Sequence, residues 1–140
     1  MATGWSGHMR AGGATTRRQR GQREAPSTSW IIEVAEVHDA FAPFELIALE
    51  DLGLVPPGKA GRVTLSGETA LDGRLPINPS GGLKARGHPL AATGIGQIVE
   101  LVWQLLGRAT GRQVAARVGL AHSIGGLATN NWVTVLERVA

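Results

Sequence analysis

Asn78-Pro79-Ser80-Gly81-Gly82-Leu83-Lys84-Ala85-Arg86-Gly87-His88-Pro89 runs straight into a segment from about Leu90 to Leu106, where Ala91, Ile95, Ile98, Val102 and Leu105 recur at helical spacing. Gly94 and Gly96 permit close backbone approach within that helix, and Gly107 ends it. A glycine-rich approach to a helix N-terminus presents backbone N–H groups and positive dipole, a setting suited to phosphate, carboxylate or a developing oxyanion. The segment is not a Walker motif, because its lysine is misplaced and no Ser or Thr follows it, and it does not fit G-x-G-x-x-G. The plain alternative is a structural glycine loop with an incidental histidine.

Upstream, Ile31-Ile32-Glu33-Val34-Ala35-Glu36-Val37 is short and rich in β-branched residues, as in a strand covered on both faces. His38 and Asp39 end it, and Asp39 is placed to cap a helix over Ala40 to Leu52. That helix turns Phe41, Phe44, Ile47, Ala48 and Leu52 toward the core, with Pro43 in its first turn. Gly53 stops it, and Pro56-Pro57 prevent resumption. Residues 58 to 89 carry many glycines and prolines and read as a long irregular connection, a kind of loop that is usually functional. Downstream, Val114 to His122 alternates Val114, Ala116, Val118 and Leu120 on one face, Ser123-Ile124-Gly125-Gly126 reads as a tight turn, and Leu127 to Val139 is a second β-prone run. The order strand, helix, long loop, helix, strand, strand predicts a layered α/β domain.

The chain's 140 residues suffice for one domain with a real core. With 43% hydrophobic and 18% charged residues, most of it can bury apolar surface. The net charge of +3 suggests an anionic partner until the charges are located. Residues 1 to 29 hold Arg10, Arg17, Arg18, Arg20 and Arg23 against Glu24 alone, so the remainder is close to neutral. This stretch shows no apolar period and is read as a disordered or foreign basic tail, with the domain over 30 to 140. Arg17-Arg18-Gln19-Arg20 could form a nucleic-acid arm, but it lacks interleaved aromatics or a reading module, and no nucleic-acid partner is expected. No apolar run reaches membrane-spanning length and no secretory signal is present, which sets the cytoplasm as the expected location.

Cysteine is absent, which removes disulfides, thiolate metal sites and a cysteine nucleophile from these residues. Of the four histidines, His38 ends a strand, His88 precedes a helix and His122 ends another strand. Ligands collect beyond the carboxyl ends of strands in open α/β sheets, so these three are candidates to converge in one pocket. A histidine is otherwise a structural hydrogen-bonding group, and three histidines so far apart in the chain match no local metal-ligand pattern. No metal is expected.

Asn78 to Gly94, read as N-P-S-G-G-L-K-A-R-G-H-P-L-A-A-T-G, resembles the signature near the C-terminus of thiolases, including its G-H-P triplet. His38-Asp39-Ala40-Phe41 resembles the H-D-C-F block of the sterol-carrier-protein type of thiolase, and His122-Ser123-Ile124-Gly125-Gly126 is similar to the H-N-x-G turn of that branch. The resemblance implies a thiolase-like C-terminal half, a truncated or partial acyl-CoA acyltransferase. It implies that His88 activates a cysteine nucleophile and helps bind the thioester oxygen, and that His38 helps build an oxyanion hole through water. It places the backbone N–H groups of Gly125 and Gly126 close to the thioester. A coenzyme A thioester is the implied substrate, its pantetheine arm passing Gly81, Gly82 and Gly87. The nucleophilic cysteine of a thiolase lies in the N-terminal half, which is not among these residues. The acid–base cysteine of H-D-C-F is Ala40 here, and the C-x-G position of other thiolases falls on Ser123, a poor substitute at neutral pH.

The isolated chain is therefore expected to be inactive. Its expected partners are an acyl-CoA with a missing N-terminal half or a second thiolase subunit. The alternatives are a thiolase-like retro-aldolase component acting on β-hydroxyacyl-CoA beside an OB-fold and zinc-ribbon partner, and a non-catalytic degenerate fragment. Tyrosine, the acid–base group reported for such aldolases, is absent.

Overall fold

A computed structural model describes residues 9–14, 31–126 and 128–139. The elements are β1 (Met9–Ala14), β2 (Val34–Glu36), α1 (Ala42–Asp51), α2 (Ala60–Leu65), α3 (Gly82–Arg86), α4 (Thr93–Leu105), β3 (Val118–Gly125) and β4 (Asn130–Arg138). One sheet runs in the order β1-β4-β3-β2. β2 and β3 are parallel, with Glu36 opposite Ala121, while β4 lies antiparallel to both β3 and β1. A single parallel bridge from Ile77 to Ala35 extends the sheet beyond β2.

The two faces of the sheet carry separate cores. Ala35, Val37 and Leu120 pack with Ala48 and Leu49 of α1 and with Val55, Leu75 and Ile77. Val34, Ala121 and Leu136 pack on the other face against Leu101 and Leu105 of α4. Burying these apolar surfaces drives the layering. Gly119 lets α4 sit close to the sheet, since a Cβ there would stand 3.0 Å from Leu101 Cδ2 and 3.2 Å from Val34 Cγ1. The strand, helix, helix, strand, strand order agrees with the α/β expectation, and several details differ from it.

Met9–Ala14 lies in the stretch read as outside the domain, yet it pairs with β4 through backbone hydrogen bonds that need no apolar pattern. The rest of residues 1 to 29, including Arg17-Arg18-Gln19-Arg20, lies outside the described residues. The connection read as irregular contains α2 and α3. Ser123–Gly125 is strand rather than turn, because pairing of Ser123 with Trp132 and Gly125 with Asn130 carries the hairpin to Gly126. α1 is capped by Phe41 without a side-chain bond, so Asp39 is not its cap. The buried face of α1 is Ala48 and Leu49, whereas Phe41 and Ile47 are exposed. Gly53 and Gly107 take positive φ just past α1 and α4, as helix-ending glycines do.

Candidate functional site

The parallel pairing of β2 with β3 decides which histidines meet. Alternation along β2 puts Glu36 and His38 on one face and Ala35 and Val37 on the other. His122 shares the face of Leu120, toward α1, where burial lowers its pKa and Asp51 and Asn131 oppose that shift. Of the three histidines, His38 and His88 are in ring contact, while parity turns the His122 side chain to the opposite face, from which its charge still acts on His38. Ser123 falls on the α4 face, where a Cβ on Gly94 would stand 3.0 Å from its Oγ.

His38 and His88 pack edge to face, with ring centroids 4.9 Å apart and planes at 81°. His88 Nδ1 lies 2.7 Å from Thr93 Oγ1, and the Thr93 hydroxyl donates to the Pro89 carbonyl at 3.1 Å. A hydroxyl has one hydrogen, so Thr93 accepts from Nδ1–H. With the Thr93 hydrogen given to Pro89, the neutral His88 ring carries its proton on Nδ1 and Nε2 is the basic nitrogen. Thr93 opens α4, five residues beyond His88, so the G-H-P turn and the first helical turn form one unit. His38 is buried, and its Nδ1 has no hydrogen-bond partner. Burial, then the charges of His88 in ring contact and of His122 from the other face, lower its pKa, with Asp39 acting in the opposite direction.

The glycine loop is laced to the end of β2. Asn78, at φ +51, accepts the Val37 N–H at 2.8 Å on Oδ1 and donates from Nδ2 to Glu45 at 3.0 Å. Glu36 accepts both the N–H and the hydroxyl of Ser80. Asp39 accepts the Leu83 N–H at 2.8 Å, and Gly82, at φ +66, lies so close that a Cβ would overlap the Asp39 carboxylate. The N–H groups of the three glycines named from the sequence are not free donors. Gly81 N–H donates to the Asn78 carbonyl, Gly82 N–H to Ser80 Oγ and Gly87 N–H to the Leu83 carbonyl. Ser80 and Asp39 thus take the first two N–H groups of α3, those of Gly82 and Leu83.

Ser123 and Gly125 line an open cleft of about 390 Å³ between α4 and the β3–β4 hairpin, with Leu90, Ile95 and Trp132 on its walls. Gly126 turns at φ +62 beside Thr129. Among the described residues, no hydrogen bond or ring contact joins Ser123, Gly125 or Gly126 to either histidine of the pair. Leu90 and Ile95, 84% and 65% exposed, continue with Val99 and Trp103 into an apolar stripe on α4. Sequence reasoning passed over Glu36, Thr93 and Arg86. The readable signal was Glu36, a carboxylate within a run of β-branched residues where both faces are covered. Among the described residues no cluster of metal-binding side chains occurs, and no helix is long and apolar enough to cross a membrane.

Residues 8–138 match the family described as thiolase C-terminal domain-like. An acetyl-CoA acetyltransferase of Methanothermobacter thermautotrophicus is 52% identical over 108 residues, covering 76% of this chain and 28% of that protein. Sterol carrier protein 2 of Bos taurus is 52% identical over 95 residues, covering 67% of this chain and 18% of that protein. Among solved structures, a chain of an Ltp2-ChsH2(DUF35) aldolase superposes with a TM-score of 0.65 at 28% identity, covering 76% of this chain and 27% of that one. The chain thus spans little more than a quarter of the length of these relatives, or less.

Proposed function

The chain belongs to the thiolase C-terminal domain-like family, and from that premise we propose that it forms the C-terminal part of an acyl-CoA acyltransferase site. The observation that supports this most is the pairing of His88 with His38, with Nδ1 of His88 held at Thr93. In this reading His88 activates a cysteine thiol supplied by an N-terminal thiolase half, and His88 and His38 together hold the thioester oxygen. Burial lowers the His38 pKa and so favours the neutral ring that a group orienting water at an oxyanion requires. The pantetheine arm of the coenzyme A thioester passes the loop from Gly81 to Gly87, and it is held there by shape, since those glycine N–H groups are already bonded. The apolar stripe of Leu90, Ile95, Val99 and Trp103 is the surface that the N-terminal half or a second thiolase subunit covers.

Without that half, the 140 residues carry no cysteine, and Ala40 stands where the acid–base cysteine of the sterol-carrier-protein type would be. Purified chain is expected to show no acetoacetyl-CoA cleavage. Turnover by the chain alone, abolished in His88→Ala, would overturn this reading.

A second reading draws on the structural likeness to a protein titled as an aldolase, together with Ala40. It makes the chain a retro-aldolase component that acts on β-hydroxyacyl-CoA beside an OB-fold and zinc-ribbon partner. Cleavage of a β-hydroxyacyl-CoA that appears only when such a partner is added would favour it over acyl transfer.

A further inference from the structure

Glu36 has no solvent exposure and sits in a strand whose neighbours Val34, Ala35 and Val37 are equally buried. A carboxylate in such a place is costly unless it is hydrogen-bonded and paired. Its partners all lie on one segment. Oε1 accepts the Ser80 N–H at 2.9 Å, Oε2 accepts the Ser80 hydroxyl at 2.8 Å, and Arg86 Nη2 stands 3.6 Å from Oε2. Ser80 and Arg86 bracket the glycine loop, and His88 follows two residues after Arg86. Ser80 Oγ passes the restraint inward by accepting the Gly82 N–H at 3.1 Å. Gly96 gives Arg86 its place, because a Cβ there would stand 2.5 Å from Arg86 Nη1. One carboxylate therefore hydrogen-bonds one end of the loop and offers the counter-charge at the other, where Arg86 Nη2 makes no hydrogen bond, and it ends the strand that leads two residues on to His38.

We propose that Glu36 is the positioning residue of this site, clamping Ser80 and Arg86 so that His88 is held against His38 with its basic nitrogen presented. Glu36 acts through the loop, and the reacting atoms are left to the two histidines. The inference rests on the proposed function only in taking His88 as the working group. Its test is read without substrate, so its outcome is separable from the outcome for acyl transfer.

The test uses the full chain labelled with nitrogen-15, comparing the wild type with Glu36→Gln above pH 7, where the Glu36 carboxyl is ionised. A glutamine can accept one Ser80 donor but faces the other with its own N–H₂ and leaves Arg86 without a counter-charge. Two quantities are read by NMR: amide exchange at Ser80 and Gly82, and the imidazole nitrogens of His88. The wild type is expected to show a single His88 tautomer with the proton on Nδ1. In Glu36→Gln, exchange at Ser80 and Gly82 rises about tenfold to a hundredfold, as for loss of a hydrogen bond to a charged group. The His88 nitrogens then move toward the average of the two tautomers, while the amides of α1 keep their rates. If Glu36→Gln fails to fold, Glu36→Gln/Arg86→Met removes both charges together and is read in the same way. Unchanged His88 nitrogens in a folded variant, with or without faster Ser80 exchange, would overturn the proposal.

Discussion

Glu36→Gln also makes a prediction about stability and pH whose sign and size follow from the structure. Burial drives the Glu36 carboxyl up from its ordinary value of 4.5 to about 7, against the opposing pull of the Ser80 hydrogen bonds and the Arg86 guanidinium. An acid whose pKa is higher in the folded state binds its proton more readily there than in the unfolded chain. Between pH 4.5 and about 7 the native state holds a proton that the unfolded state has released. Stability contributed by this group therefore falls as pH rises through that window and is level above it. The rise corresponds to about 3 kcal/mol across the window. His38 and His122, whose pKa values are lowered, act in the other direction and lose stability as pH falls below 6.5. Both histidines are present in wild type and variant alike, so they cancel in the difference. The assay is urea unfolding of the two proteins at several values from about pH 5 to about pH 8. The wild type should lose about 2.5 kcal/mol relative to Glu36→Gln over that range. The missing Arg86 partner adds only a constant offset. Two curves that stay parallel would refute the claim that Glu36 is buried with a raised pKa.

Three further outcomes are expected. Gly82→Ala forces a Cβ onto the Asp39 carboxylate at φ +66 and should cost about 2 to 4 kcal/mol in a urea or thermal melt; a loss below about 0.5 kcal/mol would contradict the packing. Leu101→Ala empties a fully buried position between α4 and the sheet and should cost about 3 kcal/mol in the same measurement. In an NMR titration His38 should protonate with a midpoint below 6.5, and Arg86→Met should raise that midpoint, because Arg86 is among the charges that depress it; a midpoint at or above 6.5 would contradict its burial.

The glycine loop and the G-H-P turn were legible because positive φ at Gly81, Gly82 and Gly87 demands glycine, and such a demand is written directly in the sequence. The layering was legible for a related reason, since the β-branched run at Val34 and the apolar spacing of α4 each fit one kind of element. Which side of α4 faces inward was not. Ile95 points out, whereas Gln97 and Gln104 are buried because they bond the His122 and Arg112 carbonyls and the Val114 N–H. A polar residue that completes a buried network looks like a surface residue until its partners are known. The convergence of three histidines failed at His122 for a reason of parity: one residue along a strand exchanges one face of the sheet for the other. β1 escaped notice because an edge strand of Met9–Ala14 pairs through its backbone and leaves no side-chain period. Asp39 was placed correctly in the chain but given the wrong donor, since it accepts from Leu83 across the site and not from the helix that follows it.

The central claim is that His88, beside His38, is the base that completes a thioester site with a second thiolase half. The direct measurement mixes this chain with the N-terminal part of the Methanothermobacter acetyltransferase and follows acetyl transfer from acetyl-CoA to that part's cysteine by mass spectrometry. Transfer is expected with the wild-type chain, and His88→Ala should lower its rate by about a hundredfold or more, the scale of one general base. Equal rates with His88→Ala, or no association between the two parts, would contradict the account.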